Sequence, residues 1–153
     1  MQGLENRIPP PAITLAWGVL MGLVARWTPG LELDQELRLA LALALVCAGV
    51  SVALAGVVAF RRARTTINPL KPGSASALVT SGIYRVTRNP MYVGFALCLL
   101  AWGLYLASPL ALLGVPGLVL YLNRWQIIPE ERALERLFGD DFRVYRQRVR
   151  RWL

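Results

Sequence analysis

LALALALVCAGVSVALAGVVAF, residues Leu39 to Phe60, runs 22 positions without one charged side chain. As an α-helix it reaches about 33 Å at 1.5 Å per residue, which matches a hydrocarbon core of roughly 30 Å. Its opening alternation of Leu and Ala has the period of a strand. A strand inside lipid, however, has no partner for its backbone N–H and C=O groups, so the run is read as a helix. This one segment makes the chain an integral membrane protein and sets the expectation for everything around it.

Further along, Met91 to Leu122 is again free of charge, is too long for one span, and carries Ser108-Pro109 near its middle. It is read as two helices, 91–107 and 109–127, joined by a tight turn, with Pro116 kinking the second. Upstream, Pro11 to Ala25, extended to Trp27, forms a shorter apolar run with Trp17 and Trp27 as interface anchors. It follows Pro9-Pro10-Pro11 with little positive charge before it, so it is read as a retained segment rather than a cleaved signal. The expected fold is an all-α membrane bundle forming a single domain. It has about four spans (11–27, 39–60, 91–107, 109–127), a loop over 61–90 and an amphipathic helical tail over 128–153.

Charge placement orients it. Residues 61–90 carry Arg61, Arg62, Arg64, Lys71, Arg85 and Arg88 and no acid, and eight arginines lie from Arg124 onward. By the positive-inside rule both segments, and both termini, are expected in the cytoplasm. The loop holding Glu32, Asp34 and Glu36 falls outside, and the setting is that of a bacterial inner membrane.

Composition narrows the chemistry. The 153 residues are 56% hydrophobic, with 17 Lys+Arg against 9 Asp+Glu, and there is no histidine. A Ser-His-Asp triad, a Cys-His dyad or a His-ligated metal is therefore excluded within the chain. Cys47 and Cys98 sit inside apolar runs without CxxC spacing and are read as packing residues.

Two segments share the basic face. Residues 65–90 are rich in turn formers and β-branched residues and lack helical period. A loop of this length is functional or disordered, and Leu78, Val79, Ile83, Tyr84 and Val86 argue for order. In Arg88-Asn89-Pro90-Met91-Tyr92, Asn89 suits a helix cap, Pro90 the first helical turn and Tyr92 an interface anchor. In the tail, Pro129-Glu130-Glu131 reads as a helix start. Gly139 reads as a stop, and Asp140 or Asp141 caps a further short helix. Phe142, Tyr145, Val149 and Trp152 then repeat at helical spacing opposite Arg143, Arg146, Arg148, Arg150 and Arg151. This is the pattern of an interfacial helix on anionic lipid, and a nucleic-acid role fits the buried-type aromatics less well.

Three blocks taken together carry a resemblance: residues 78–84 (LVTSGIY), Arg88 to Gly94 (RNPMYVG), and Glu130-Glu131 with residues 138–145 (FGDDFRVY). They resemble the isoprenylcysteine carboxyl methyltransferases and related phospholipid methyltransferases of membranes, over residues 65–152. The resemblance implies an enzyme that uses S-adenosylmethionine (S-adenosyl-L-methionine) bound at the cytoplasmic ends of the last two helices. It places cofactor contacts at Ser76, Ala77, Leu78, Val79, Tyr84, Asn89, Pro90, Met91, Tyr92 and Glu130. Asn89 stands where the family has histidine, and Gln126 where the carboxyl-methylating branch has a substrate-binding arginine, with Arg124 nearby. Arg88, Arg124 and Glu131 are the expected acceptor-positioning or catalytic residues.

The residue set is compatible with that chemistry. Methyl transfer from a sulfonium requires a positioned nucleophile and a dry site, and no imidazole. A glutamate can hold the cofactor's ammonium, and amides or an arginine its carboxylate. For an amine acceptor, which must lose a proton, Glu131 is the expected base. The acceptor is expected to be a lipid-like or prenylated molecule drawn from the bilayer. The alternative is a noncatalytic membrane module that binds anionic lipid or a protein partner through its basic face.

Overall fold

The structure, a computed structural model, describes residues 8–63 and 77–153. Among them every regular element is helical, as expected. Helix α1 is Pro10–Trp27, α2 is Gln35–Arg62, and a 3-10 turn covers Gly82–Arg85. Helix α3 is Pro90–Leu106, α4 is Pro109–Leu112 and α5 is Gly114–Leu122. A π-helical turn, Asn123–Ile127, leads without a break into α6, Ile128–Arg148.

Local sequence sets the boundaries. Proline occupies the first turns of α1, α3 and α4, where its missing N–H costs nothing, and Pro129 follows the π-turn at the start of α6. Asp34 caps α2 by accepting from Leu37 N at 2.8 Å, with Glu36 in the first turn and Arg61 and Arg62 in the last. α3 ends at Ala107, which adopts a left-handed φ of 50°, and Ser108 Oγ then accepts from Ala111 N to start α4. The break between α4 and α5 falls at Leu113, just before Pro116, whose ring and absent N–H disturb the preceding turn.

α3 is the centre of the bundle. On one side it packs along α2 through small residues. A Cβ added to Gly94 would lie 2.6 Å from the Gly49 carbonyl oxygen, and one added to Gly49 would lie 2.8 Å from the Gly94 oxygen. Cys98 Sγ borders this seam, whereas Cys47 is exposed on α2 and is not the packing residue expected. On its other side α3 meets α1, α4 and α5 in a core that includes Ile13, Met21, Tyr92, Leu99, Ala111, Leu118, Leu122 and Ile127. Trp17 joins that core, 5.9 Å from the Tyr121 ring, instead of anchoring at an interface, because Gly117 leaves room for its indole. Trp27 is exposed.

Among the described residues, two helices are long and apolar enough to cross a membrane: Gln35–Arg62 and the continuous Pro109–Arg148 run. Pro90–Leu106 is apolar but shorter. Of the four expected spans, two meet the requirement of length and composition among the described residues. Only 17% of the most apolar stretch of α2 is buried. Its outward face presents Leu39, Leu41, Leu43, Val46, Val50 and Leu54, so it is not the core helix of a compact globule.

The short connections meet at one end of the bundle, where Leu31 N donates to Ala107 O (2.7 Å) and Thr28 Oγ1 lies 3.1 Å from Ser108 Oγ. At the opposite end the tail folds back. Gly139, at φ 52° and ψ −120°, a region open only to glycine, divides α6 into two helical stretches across a kink, in keeping with the expected stop at this position. The tail's aromatic face does not look outward to lipid. Phe142, Tyr145 and Val149 are buried against Leu78, Leu134 and Phe138. The protein's own loop covers the face that the pattern assigned to the bilayer.

Candidate active site

The site lies where the approach to α3, the first turn of α6 and the chain's last residues converge. Tyr92, one turn into α3, is buried in the bundle core. Its hydroxyl donates to Glu130 Oε1 at 2.6 Å. Residues 38 positions apart are thus joined by a hydrogen bond to a charge-bearing group, the strongest kind.

The neighbouring acid has different company. Arg88 Nη2 donates to Glu131 Oε1 at 2.8 Å. Arg151 donates from Nε to the same oxygen at 3.1 Å and from Nη2 to Oε2 at 2.6 Å. Arg88 also sends Nη1 to the carbonyls of Arg146 (2.9 Å) and Val149 (2.7 Å), closing the exposed end of α6. Its Nε is buried with no partner among the described residues.

These environments push the two carboxyls apart. Burial, the largest influence on Glu130, outweighs the hydrogen bond from Tyr92, and Glu131's charge adds to it, so its pKa is pushed up to about 7. Burial also acts on Glu131, but hydrogen bonds and charge from Arg151 and Arg88 outweigh it and hold the carboxyl below its usual range. Two phenols close the surroundings. Tyr145 Oη donates to Tyr84 O at 2.7 Å, and burial holds both hydroxyls protonated, raising Tyr84 and Tyr145 well above a free phenol.

The last residues form a strap. From Val149, whose backbone is extended, the chain crosses the start of α3. Arg88 N donates to Arg150 O (3.0 Å). Arg151 O accepts from Asn89 Nδ2 (2.9 Å) and from Thr87 Oγ1 (3.2 Å). Trp152 Nε1 reaches Asn123 Oδ1 on the π-turn (3.1 Å).

The other expected residues are distributed around this region. Asn89 stands at the α3 N-cap but makes no side-chain cap there; its amide holds the strap, and Thr87 Oγ1 accepts from Asn89 N instead. Pro90 and Met91 face Gly56 of α2. Val79 packs with Ala59 and Tyr84, and Leu78 packs against the tail cluster. Ala77 adjoins them in the chain, and Ser76 lies outside the described residues. Arg124 is on the exposed side of the π-turn. Gln126, on the same turn, is fully buried; its Nε2 donates to Ile8 O at 2.9 Å, and its Oε1 has no partner among the described residues. The residues the sequence reading did not single out are Thr87, Asn123, Tyr145 and Arg151. Arg151 was visible only as a member of an amphipathic pattern, and Tyr145 only as a member of that pattern and of the 138–145 block.

A sequence model of the family described as phospholipid methyltransferase matches residues 37–141, from the first turn of α2 to just beyond the Gly139 kink. The chain belongs to the phospholipid methyltransferase family. As in that family, its setting is membrane-associated and its chemistry that of a methyltransferase acting on a lipid-like substrate. An uncharacterized protein of Haemophilus influenzae (strain ATCC 51907 / DSM 11121 / KW20 / Rd) is 54% identical over 57 residues, which cover 37% of this chain and 90% of that relative. No solved structure matches the chain. Within this phospholipid methyltransferase, the Tyr92–Glu130 bond and the Arg88–Glu131 pair lie inside the matched segment, whereas the strap lies beyond it.

Proposed function

We propose that the chain transfers a methyl group from S-adenosylmethionine to a lipid-like acceptor taken from the membrane. The observation that carries the reading is the pair Tyr92–Glu130: a surrounded carboxylate held by a hydroxyl, with no guanidinium of the described residues upon it. A buried acid left without a cation is costly, and a positively charged ligand would relieve it.

The donor set fits the cofactor's amino-acid end. Glu130 suits the ammonium, and Arg88, with a buried Nε lacking a partner, suits the carboxylate. When bound, the cofactor supplies an electrophilic methyl on a sulfonium. The chain's residues do the rest. Tyr92 orients Glu130, Arg88 and Glu131 hold the start of α3 against α6, and the buried aromatics Tyr84, Phe142 and Tyr145 keep water out. Glu131, clamped by two guanidiniums, is a weak proton acceptor, so its role is to hold charge rather than to serve as a base. The arrangement supports a fold in which α1, α2, α3 and the α4–α5 rod all traverse the bilayer, with this site on the cytoplasmic side.

Isothermal titration of the detergent-purified protein with S-adenosylmethionine tests the reading. Saturable binding is expected, weakened on the order of tenfold to a hundredfold by Tyr92→Phe or Glu130→Ala. No binding by the wild type, in detergent or in lipid nanodiscs, overturns it.

A further inference from the structure

The acidic pair raises a question of choice: two adjacent carboxylates stand at the same site, and a cationic ligand has to be directed to one of them. The strap answers it by geometry. Arg151 is carried to Glu131 by contacts that do not involve its own side chain: Arg150 O on Arg88 N, Arg151 O on Asn89 Nδ2 and Thr87 Oγ1, and Trp152 Nε1 on Asn123 Oδ1. So held, its guanidinium engages both oxygens of Glu131, while Arg88 reaches Oε1 alone. Arg151 is the residue that occupies Oε2.

We infer that Arg151 is a positioning residue that neutralises Glu131, so that the positive charge of a bound ligand is received by Glu130. For the identity of that ligand the inference rests on the methyl-donor reading above; the device itself needs only a cation. The charged and titratable groups around the pair among the described residues are few. Glu130 faces Tyr92 from α3, Tyr84 from the 3-10 turn and Glu131 on its own helix. Glu131 faces Arg88 and Arg151. The strap lies outside the family-matched residues 37–141.

The test is a pH series of thermal unfolding on the full chain without cofactor, for wild type, Arg151→Ala, Arg151→Lys, Glu131→Gln and the Arg151→Ala/Glu131→Gln double variant. Arg151→Ala keeps the strap's backbone and indole contacts but frees Oε2 of Glu131 and leaves that carboxylate with Arg88 alone. The pH midpoint at which stability falls through Glu130 ionisation should then move upward by about half a unit or more. Arg151→Lys, which keeps the charge, should restore the wild-type midpoint. In the Glu131→Gln background Arg151→Ala should leave the midpoint where it was. A uniform loss of stability with an unmoved midpoint, a downward shift, or an upward shift that persists without Glu131 each overturns the inference. Titration of wild type with S-adenosylmethionine separates the two ideas. Failure to bind sinks the methyl-donor reading, while the cofactor-free series still decides the role of Arg151.

Discussion

At the scale of single residues, Glu130 and Glu131 show how neighbours in sequence acquire opposite electrostatics. Glu130 is protonated more readily folded, near pH 7, than unfolded, near its ordinary 4.5. The native state therefore binds more protons across that interval. Its contribution is fully present below about 4.5 and is lost as pH rises through about 7, amounting to on the order of 3 kcal/mol. Glu131, held low, acts in the opposite sense, and its contribution is lost only as pH falls below the usual carboxylate range. We predict that the melting temperature of the cofactor-free protein falls between pH 5 and 7.5 and that Glu130→Gln flattens this slope, measured by scanning fluorimetry. A cation bound beside Glu130 favours its ionised form, so cofactor affinity should rise with pH across the same interval. The pair's importance was legible in the sequence as a motif. The division of labour was not, since it depends on Tyr92 and on two arginines brought from elsewhere in the chain.

At the scale of elements, the α2–α3 seam is built from close backbone approach. Membrane helices gain little from burying apolar side chains against each other when lipid is equally apolar, so tight packing of small residues carries the association. Gly94→Ala would place a methyl 2.6 Å from the Gly49 oxygen and 2.8 Å from Ala53 Cβ, neither of which is the flexible end of a side chain. The helices must separate, and we predict a loss of roughly 1–3 kcal/mol, read from thermal unfolding in detergent. A Cβ added to Gly117, by contrast, would lie 3.1 Å from the Trp17 indole, so the absent side chain is what admits that ring to the core. Helix positions followed from hydropathy and proline placement, and the observed α1, α2 and α3 lie within a few residues of the expected spans except where α2 extends. The π-turn at Asn123–Ile127 was not foreseen, because nothing in local propensity marks it. Such turns commonly sit at functional sites, and this one supplies the Trp152 contact and buries Gln126.

At the scale of the whole molecule, the outward face of α2 is apolar along its length while its charged residues sit at its two ends. That distribution suits a hydrocarbon surround and is costly in water. Val50, near the middle of α2, is exposed. We predict that Val50→Arg leaves the helix–helix seam intact but reduces membrane insertion by about 2.5–3.5 kcal/mol, the cost of a central arginine. Fractionation of the variant between membrane and soluble pools checks this. Unchanged or improved recovery in the membrane fraction would mean that the face does not meet lipid.

The sequence by itself determined the all-helical class, the apolar runs, the basic face and the family to which the chain belongs. Each rests on a local property: length without charge, the fixed φ of proline, or a short motif read in order. What only the tertiary structure decided is where the tail's aromatic face goes. A period of buried-type residues opposite arginines is satisfied equally by a lipid surface and by the protein's own loop, and periodicity does not distinguish two apolar partners. Leu78 and the Tyr84 carbonyl provided the nearer partner. Folding the tail back on them delivered Arg151 to Glu131 and left Glu130 to Tyr92.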